Sequence, residues 1–165
     1  MAASVVPKIQ RDGQITIISG GGSPVTYTVA FEDGDFAFSK DKDARIVIRD
    51  RGTIVGVRKG ESPVISGSFT VHQREFIDAG SLTLVDMLDK TGAAAAHTST
   101  GSGAYEDFMV DLTITIEGTD HGDTADGTAT FSKCIATWSF SEGAPNKISV
   151  SFECFGGIVF TGQDT

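Results

Sequence analysis

Apolar and polar residues alternate along most of this chain. From residue 134 to residue 154 the alternation runs twice, on either side of the Glu142, Gly143, Ala144, Pro145 run that reads as a turn. Folding the segment back about residue 144 sets Cys134 opposite Cys154, Ala136 opposite Phe152, Trp138 opposite Val150 and Phe140 opposite Ile148. All eight side chains then share one face, apolar or thiol throughout. The other face carries Thr137, Ser139, Ser141, Lys147, Ser149, Ser151 and Glu153, with Ile135 the exception. A slip of one residue would mix the two sets, so the register is well determined.

The same period recurs upstream. Phe108, Val110, Leu112, Ile114 and Ile116 alternate with Met109, Asp111, Thr113, Thr115 and Glu117, which predicts a strand with one wet face. Ile65, Gly67, Phe69 and Val71 alternate with Ser66, Ser68, Thr70 and His72. Ile46 and Ile48 are placed to pair with Val57 and Val55 across a tight turn at Arg51 and Gly52. Residues 14–19 and 25–31 flank a Gly20, Gly21, Gly22, Ser23, Pro24 turn.

One helix interrupts the pattern, over residues 82–90. Ser81 is placed to cap it, Gly92 to close it, and Leu84, Val85 and Leu88 form its apolar stripe. Behind it runs a small, uncharged stretch, and residues 89–104 read as one long mobile loop. Two further loops, 32–44 and 119–127, are polar and acidic. The expectation is a single all-β domain over 1–165, an antiparallel β-sandwich or barrel with one short flanking α-helix, and an N-terminal arm at 1–13.

Composition agrees. The chain has 20 Gly and 11 Phe among its 165 residues, and its 39% hydrophobic content suffices for a core. Charge changes the functional picture more. With 13 Lys and Arg against 22 Asp and Glu, the formal net charge is −9, which excludes a general nucleic-acid binder held by phosphate contacts. The first residues lack a basic, then apolar, leader pattern, no run approaches a membrane span, and the one Asn lies outside a glycosylation sequon. A protein made in the cytosol, without a membrane partner, is expected.

No nucleophile elbow, phosphate-binding loop or zinc-protease helix is present, and the histidines at 72, 97 and 121 are far apart. No catalytic residue, metal site or cofactor is therefore expected. Asp120, Asp123 and Asp126 lack the alternate spacing of a calcium loop; a solvated acidic loop is the first reading and a cation site the alternative. Cys134 and Cys154 are too few for a disulfide framework or a zinc site, and read as small core residues, with a redox pair as the alternative. Arg45, Arg49, Arg51, Arg58 and Lys59 gather five of the 13 basic residues on one predicted hairpin. That patch fits docking onto an acidic neighbouring copy, a ligand phosphate, or a solvated face.

Two stretches carry a resemblance. The run Arg49-Asp50-Arg51-Gly52-Thr53-Ile54-Val55-Gly56-Val57-Arg58-Lys59-Gly60-Glu61, followed by Pro63-Val64-Ile65-Ser66-Gly67-Ser68-Phe69-Thr70, resembles the central part of tail tube proteins of long-tailed bacteriophages. Phe131-Ser132-Lys133-Cys134, then Ser139-Phe140-Ser141-Glu142-Gly143 and Asn146-Lys147-Ile148-Ser149-Val150-Ser151-Phe152-Glu153-Cys154, resemble the end of the same family. The order of elements agrees as well, and together these cover about two thirds of the chain.

The resemblance implies a β-sandwich or barrel with a flanking helix, assembled as hexameric rings that stack into a tail tube through which DNA leaves the capsid. The tube fold is shared with the type VI secretion tube. It implies copies of the chain itself as the main partner, with tape measure, tail terminator and initiator or baseplate proteins beside them. DNA would pass without specific binding, and the location would be the virion tail, assembled in host cytoplasm. Residues 1–13 and 89–104 would contact the next ring, including His97, Ser99 and Ser102, with the basic hairpin at a subunit joint. A lumen must not hold phosphates, so the candidate lumen-facing residues are Asp111, Glu117, Thr137, Ser139, Ser149, Ser151 and Glu153, with Lys147 the departure. The outer wall is the rival position for that face. A β-sandwich that recognises a glycan or protein partner, or decorates a virion, is the alternative function.

Overall fold

A computed structural model describes residues 13–29, 35–74, 76, 80–116 and 125–162. The architecture is all-β with one short α-helix, as predicted. The described residues form ten strands: β1 (Gln14–Ile18), β2 (Thr26–Val29), β3 (Ala37–Ser39), β4 (Arg45–Asp50), β5 (Thr53–Lys59), β6 (Ile65–His72), β7 (Val110–Ile116), β8 (Gly127–Ser141), β9 (Lys147–Cys154) and β10 (Ile158–Thr161). Helix α1 (Leu84–Asp89) lies between β6 and β7. Eight strands form one antiparallel sheet in the order β2-β1-β7-β8-β9-β6-β3, with β10 paired to β8; β4 and β5 form a separate pair.

The long strand β8 organises the sheet. Its first half pairs with β7 along one edge, while β10 and then β9 follow each other along the opposite edge. The predicted register holds at all four positions: Cys134 faces Cys154, Ala136 faces Phe152, Trp138 faces Val150 and Phe140 faces Ile148. The apolar face they form runs out past the core at its far end. Cys134, Cys154, Phe152, Val150 and Ile148 are buried, Ala136 and Trp138 are half-buried, and Phe140 is exposed.

One core cluster draws on both ends of the sheet: Ile15 and Ile17 of β1, Val29 of β2, Phe69 of β6, Leu112 and Ile114 of β7, Phe131 of β8 and Phe152 of β9. A flat sheet cannot bring its first and sixth members onto the same cluster, so the sheet is curled around it. The half-buried Phe36 ring packs against this cluster, 5.7 to 6.2 Å from those of Phe69, Phe131 and Phe152. Helix α1 adds Leu84, Met87 and Leu88 to the cluster.

The helix starts two residues later than predicted. Thr83 is its cap, not Ser81, because Thr83 and Asp86 form a reciprocal capping box. It ends on Lys90 in the left-handed conformation at φ 55°, so closure precedes Gly92. Asp86 is itself buried and accepts from the hydroxyls of Thr83 at 2.9 Å and Thr91 at 3.1 Å. The inward stripe is therefore Leu84, Met87 and Leu88, with Val85 only half-buried.

Two registers depart from the sequence reading. Met109, placed by alternation on the wet side, is buried: β7 begins at Val110, two residues after the predicted start at Phe108, so Met109 lies outside the strand. In the β4–β5 hairpin Arg49 faces Ile54 but Ile48 faces Gly56, so the pairing slips at Val55. Beyond this bulge Ile46 faces Arg58 and Val47 faces Val57, in place of the predicted Ile46–Val57 and Ile48–Val55 pairs.

The segment read as a mobile loop, 89–104, carries structure of its own. A 3₁₀ turn spans Gly92–Ala94, the Gly20 N–H donates to Thr98 O at 2.8 Å, and the Thr100 N–H donates to Met109 O at 2.9 Å. The Ser99 hydroxyl accepts from the N–H groups of Met109 and Gly101. Most of the N-terminal arm, Glu117, Asp120, His121 and Asp123 lie outside the described residues.

Candidate functional site

Two surfaces stand out, one polar and one apolar. The polar one is built by strand alternation. The register sets Thr137 opposite Ser151, Ser139 opposite Ser149 and Ile135 opposite Glu153, so five of the candidate lumen residues share one exposed face. Strand β6 then extends it, with Ser66 opposite Glu153, Ser68 opposite Ser151 and Thr70 opposite Ser149. Strand β3 adds Ser39, whose hydroxyl lies 3.2 Å from that of Ser66. Thr70 and Ser149 hydroxyls are 3.4 Å apart.

The result is a hydroxyl-lined surface across four strands, with Glu153 on it, the Asp35 carboxylate at its edge accepting the Thr70 N–H, and Lys147 and His72 at one end. A shallow groove of about 660 Å³ runs over it, while the Phe38 ring turns to the other face of the sheet, 5.1 Å from that of Phe131. The contribution of β6 and β3 was absent from the sequence-derived set. Its signal was present in the Ser66, Ser68, Thr70 alternation, but the pairing partner of that strand was unknown.

Asp111 does a different job from the hydroxyls. It sits half-buried where β7 slips against β8, and its Oδ1 accepts the N–H of Lys133 at 2.8 Å. Lys133 adopts φ 57°, a left-handed conformation that a non-glycine residue holds only when its surroundings enforce it. The carboxylate thus fixes the bulge, and the Lys133 ammonium lies 5.0 Å from the centre of the Tyr105 ring.

The apolar surface is the β4–β5 hairpin. Among the described residues it pairs only with itself, and nearly every residue along both strands is exposed. Ile46, Ile54, Val55 and Val57 are 54 to 61% exposed, and Val47 and Ile48 are exposed as well. Alternation places Val47 and Val57 on one face and Ile46 and Ile48 on the other, so both faces are apolar. Arg45, Arg49, Arg51, Arg58 and Lys59 are interleaved with them and are all exposed. The hairpin is anchored at its base, where Lys59 Nζ meets Asp43 Oδ2 at 2.6 Å and the Ala44 N–H donates to Glu61 O at 2.8 Å. A two-stranded ribbon of this kind is marginal on its own in water, and such a patch marks an interaction site.

Among the other candidate contact residues, Ser102 is exposed and His97 half-buried, while the Ser99 hydroxyl is engaged within the chain. Cys134 and Cys154 are both buried as free thiols. The described residues hold no group of three His, Cys, Asp or Glu side chains arranged to bind a metal ion, and no helix among them is long and apolar enough to cross a membrane.

No family model matches this chain, and no curated protein matches it. Solved structures do. A chain from an extracellular contractile injection system, the PVC sheath/tube terminator in its extended state, aligns over 98% of this chain and 100% of its own length, with a TM-score of 0.59 at 14% identity. A chain of the anti-feeding prophage baseplate aligns over 96% and 98%, with a TM-score of 0.57 at 10% identity. A third, from the PVC sheath–tube complex in its extended state, aligns over 96% and 93%, with a TM-score of 0.56 at 14% identity. At these identities the likeness is one of fold, and it spans both chains nearly end to end.

Proposed function

We propose that this chain is a structural subunit of a phage-tail-like particle, stacking in hexameric rings into a tube that conducts DNA. The observation that carries the reading is the free-standing hairpin. Six exposed Ile and Val side chains on a ribbon without a packed face are costly in a lifelong monomer, and a neighbouring copy would cover them. Its interleaved Arg and Lys suit a chain whose overall charge is −9. The end-to-end fold likeness to chains from sheath–tube, terminator and baseplate assemblies supports membership of such a particle.

In this reading the hydroxyl surface of β3, β6, β8 and β9 lines the channel. Serine and threonine hydroxyls hydrogen-bond to water and offer no fixed cation to a phosphate, so a passing polyanion finds little to hold it. The role is structural and not catalytic. Tape measure, terminator and baseplate proteins are the further partners.

Light scattering on the concentrated protein, with negative-stain electron microscopy, tests the proposal. Hollow rings or tubes are expected. A chain that stays monomeric at high concentration, alone and with tail extract, would sink self-assembly. A second reading, a module that binds a glycan, rests on the hydroxyl-lined groove itself, which Ser66, Ser68, Thr137 and Ser151 line. It predicts a saturable hit on a glycan array that Thr137→Val and Ser151→Ala together abolish.

A further inference from the structure

Cys134 and Cys154 face each other across β8 and β9, and their sulfurs lie 3.1 Å apart. The flanking residues tell which kind of pair this is. The Phe155 N–H donates to Lys133 O at 3.1 Å, so the ladder bond falls one step outside, and 134–154 is a non-hydrogen-bonded position. At such positions the two backbones approach to about 4.5 Å between Cα atoms and the side chains are nearest each other. That spacing lies at the short end of the range a disulfide spans, and closure needs the sulfurs to approach by only about 1 Å more.

Both thiols are buried, yet an irregularity adjoins them. Cys154 is the last residue of β9, and the next residues, Phe155 and Gly156, are exposed where the strand hands over to β10. Cys154 Sγ also lies 3.3 Å from Ser132 O, at the bulge held by Asp111. Cys154 is thus one residue in sequence from the exposed surface.

We infer that Cys134 and Cys154 form a latent cross-strand disulfide, closed by a small peroxide. The Cys154 thiolate attacks one oxygen of hydrogen peroxide; the S–O bond forms, the O–O bond breaks, and hydroxide leaves to become water. The Cys134 sulfur then attacks the Cys154 sulfur, the S–S bond forms and the S–O bond breaks. The departing hydroxide takes the Cys134 proton, so two thiols and one peroxide give one disulfide and two waters. The order follows from the pair. Cys134 is fully buried inside its strand, and its hydrogen bond with Cys154 and its burial push that thiol up, whereas Cys154 ends β9 beside the exposed Phe155 and Gly156. Cys154 is therefore the first nucleophile.

The experiment uses the folded full-length chain with hydrogen peroxide, read by intact mass, thiol alkylation and thermal unfolding. The expected result is a monomer lighter by about 2 Da, with both thiols lost together and a cross-linked 134–154 peptide. The unfolding midpoint should rise by roughly 5 to 10 °C and return on reduction, since the bridge closes a loop of about 20 residues. Thiols that survive excess peroxide in the folded protein, a chain that gains oxygen in place of losing hydrogen, or dimers between chains would each overturn the proposal. In Cys134→Ala the peroxide product should instead be a sulfenic acid on Cys154, trappable by dimedone. If Cys154 stays a thiol in that variant, Cys154 is not the attacking sulfur. The wild-type mass stands as evidence whether or not the variant folds.

Discussion

Replacing Ile46, Ile54, Val55 and Val57 together by Thr separates the hairpin's role in assembly from any role in folding. Threonine keeps the branch at Cβ and the strand preference, so the ribbon is retained while its apolar surface shrinks. Each of the four side chains is 54 to 61% exposed, so the monomer has little to lose. Surface changes of this kind cost within about 0.5 kcal/mol each. At an interface the arithmetic differs. Full burial of a Val or Ile side chain contributes about 1.5 to 3 kcal/mol, so the part still exposed is worth roughly 1 kcal/mol per residue. Four of them come to about 4 kcal/mol, and each 1.4 kcal/mol is about tenfold, which predicts subunit association weaker by about three orders of magnitude. Sedimentation velocity over a concentration series reads that change, with circular dichroism confirming the fold. Association at an unchanged concentration would remove the hairpin from the interface. A variant that unfolds would show that these side chains already carry the monomer's stability.

Three further outcomes test the fold. Asp86→Ala strips the helix of its capping box and leaves the Thr91 hydroxyl without its acceptor and Thr83 with Phe76 O alone, so a loss of about 2 to 3 kcal/mol and a midpoint lower by roughly 5 to 10 °C are expected by calorimetry. Asp111→Ala should cost about 1 to 2 kcal/mol in urea unfolding, whereas Asp111→Asn, which still offers an oxygen to the Lys133 N–H, should keep most of it. Equal losses in the two variants would mean that charge, not the acceptor, holds the bulge. Gly67→Ala places a methyl group 2.7 Å from Ala37 O and closer still to the Phe152 ring, so about 2 kcal/mol should be lost; an unchanged midpoint would show that Phe152 yields freely.

The alternation made the sheet legible because it encodes which face is buried. The β8–β9 register could be read pair by pair, since only one fold-back sorts Cys134 to Cys154 into two clean sets. Pairings between distant segments could not. Nothing local says that β6 lies against β9, so the hydroxyl surface was half seen. Bulges were hidden for a related reason: one extra residue at Val55 or beside Asp111 changes the register without disturbing composition. The cap was missed although its pattern, Thr83 followed at the third place by Asp86, is in the sequence, because Ser81 offered an equally good local candidate. The hairpin's apolar character was visible as Ile and Val. That both of its faces meet solvent depends on how the other described strands pack, which no local pattern records.

Strand β8 has a mechanical consequence. Its 15 residues span about 50 Å. Its hydrogen bonds lie across the strand direction, with β7 on one side and β9 and β10 on the other. Tension along that axis loads both ladders in shear, so many bonds share the force and must fail together. Tension that parts the two strands at the base of the β4–β5 ribbon peels it open one pair at a time, starting from Arg45 and Lys59. The same chain thus combines a stiff spar with a compliant arm, and a pulling experiment should find two well-separated rupture forces.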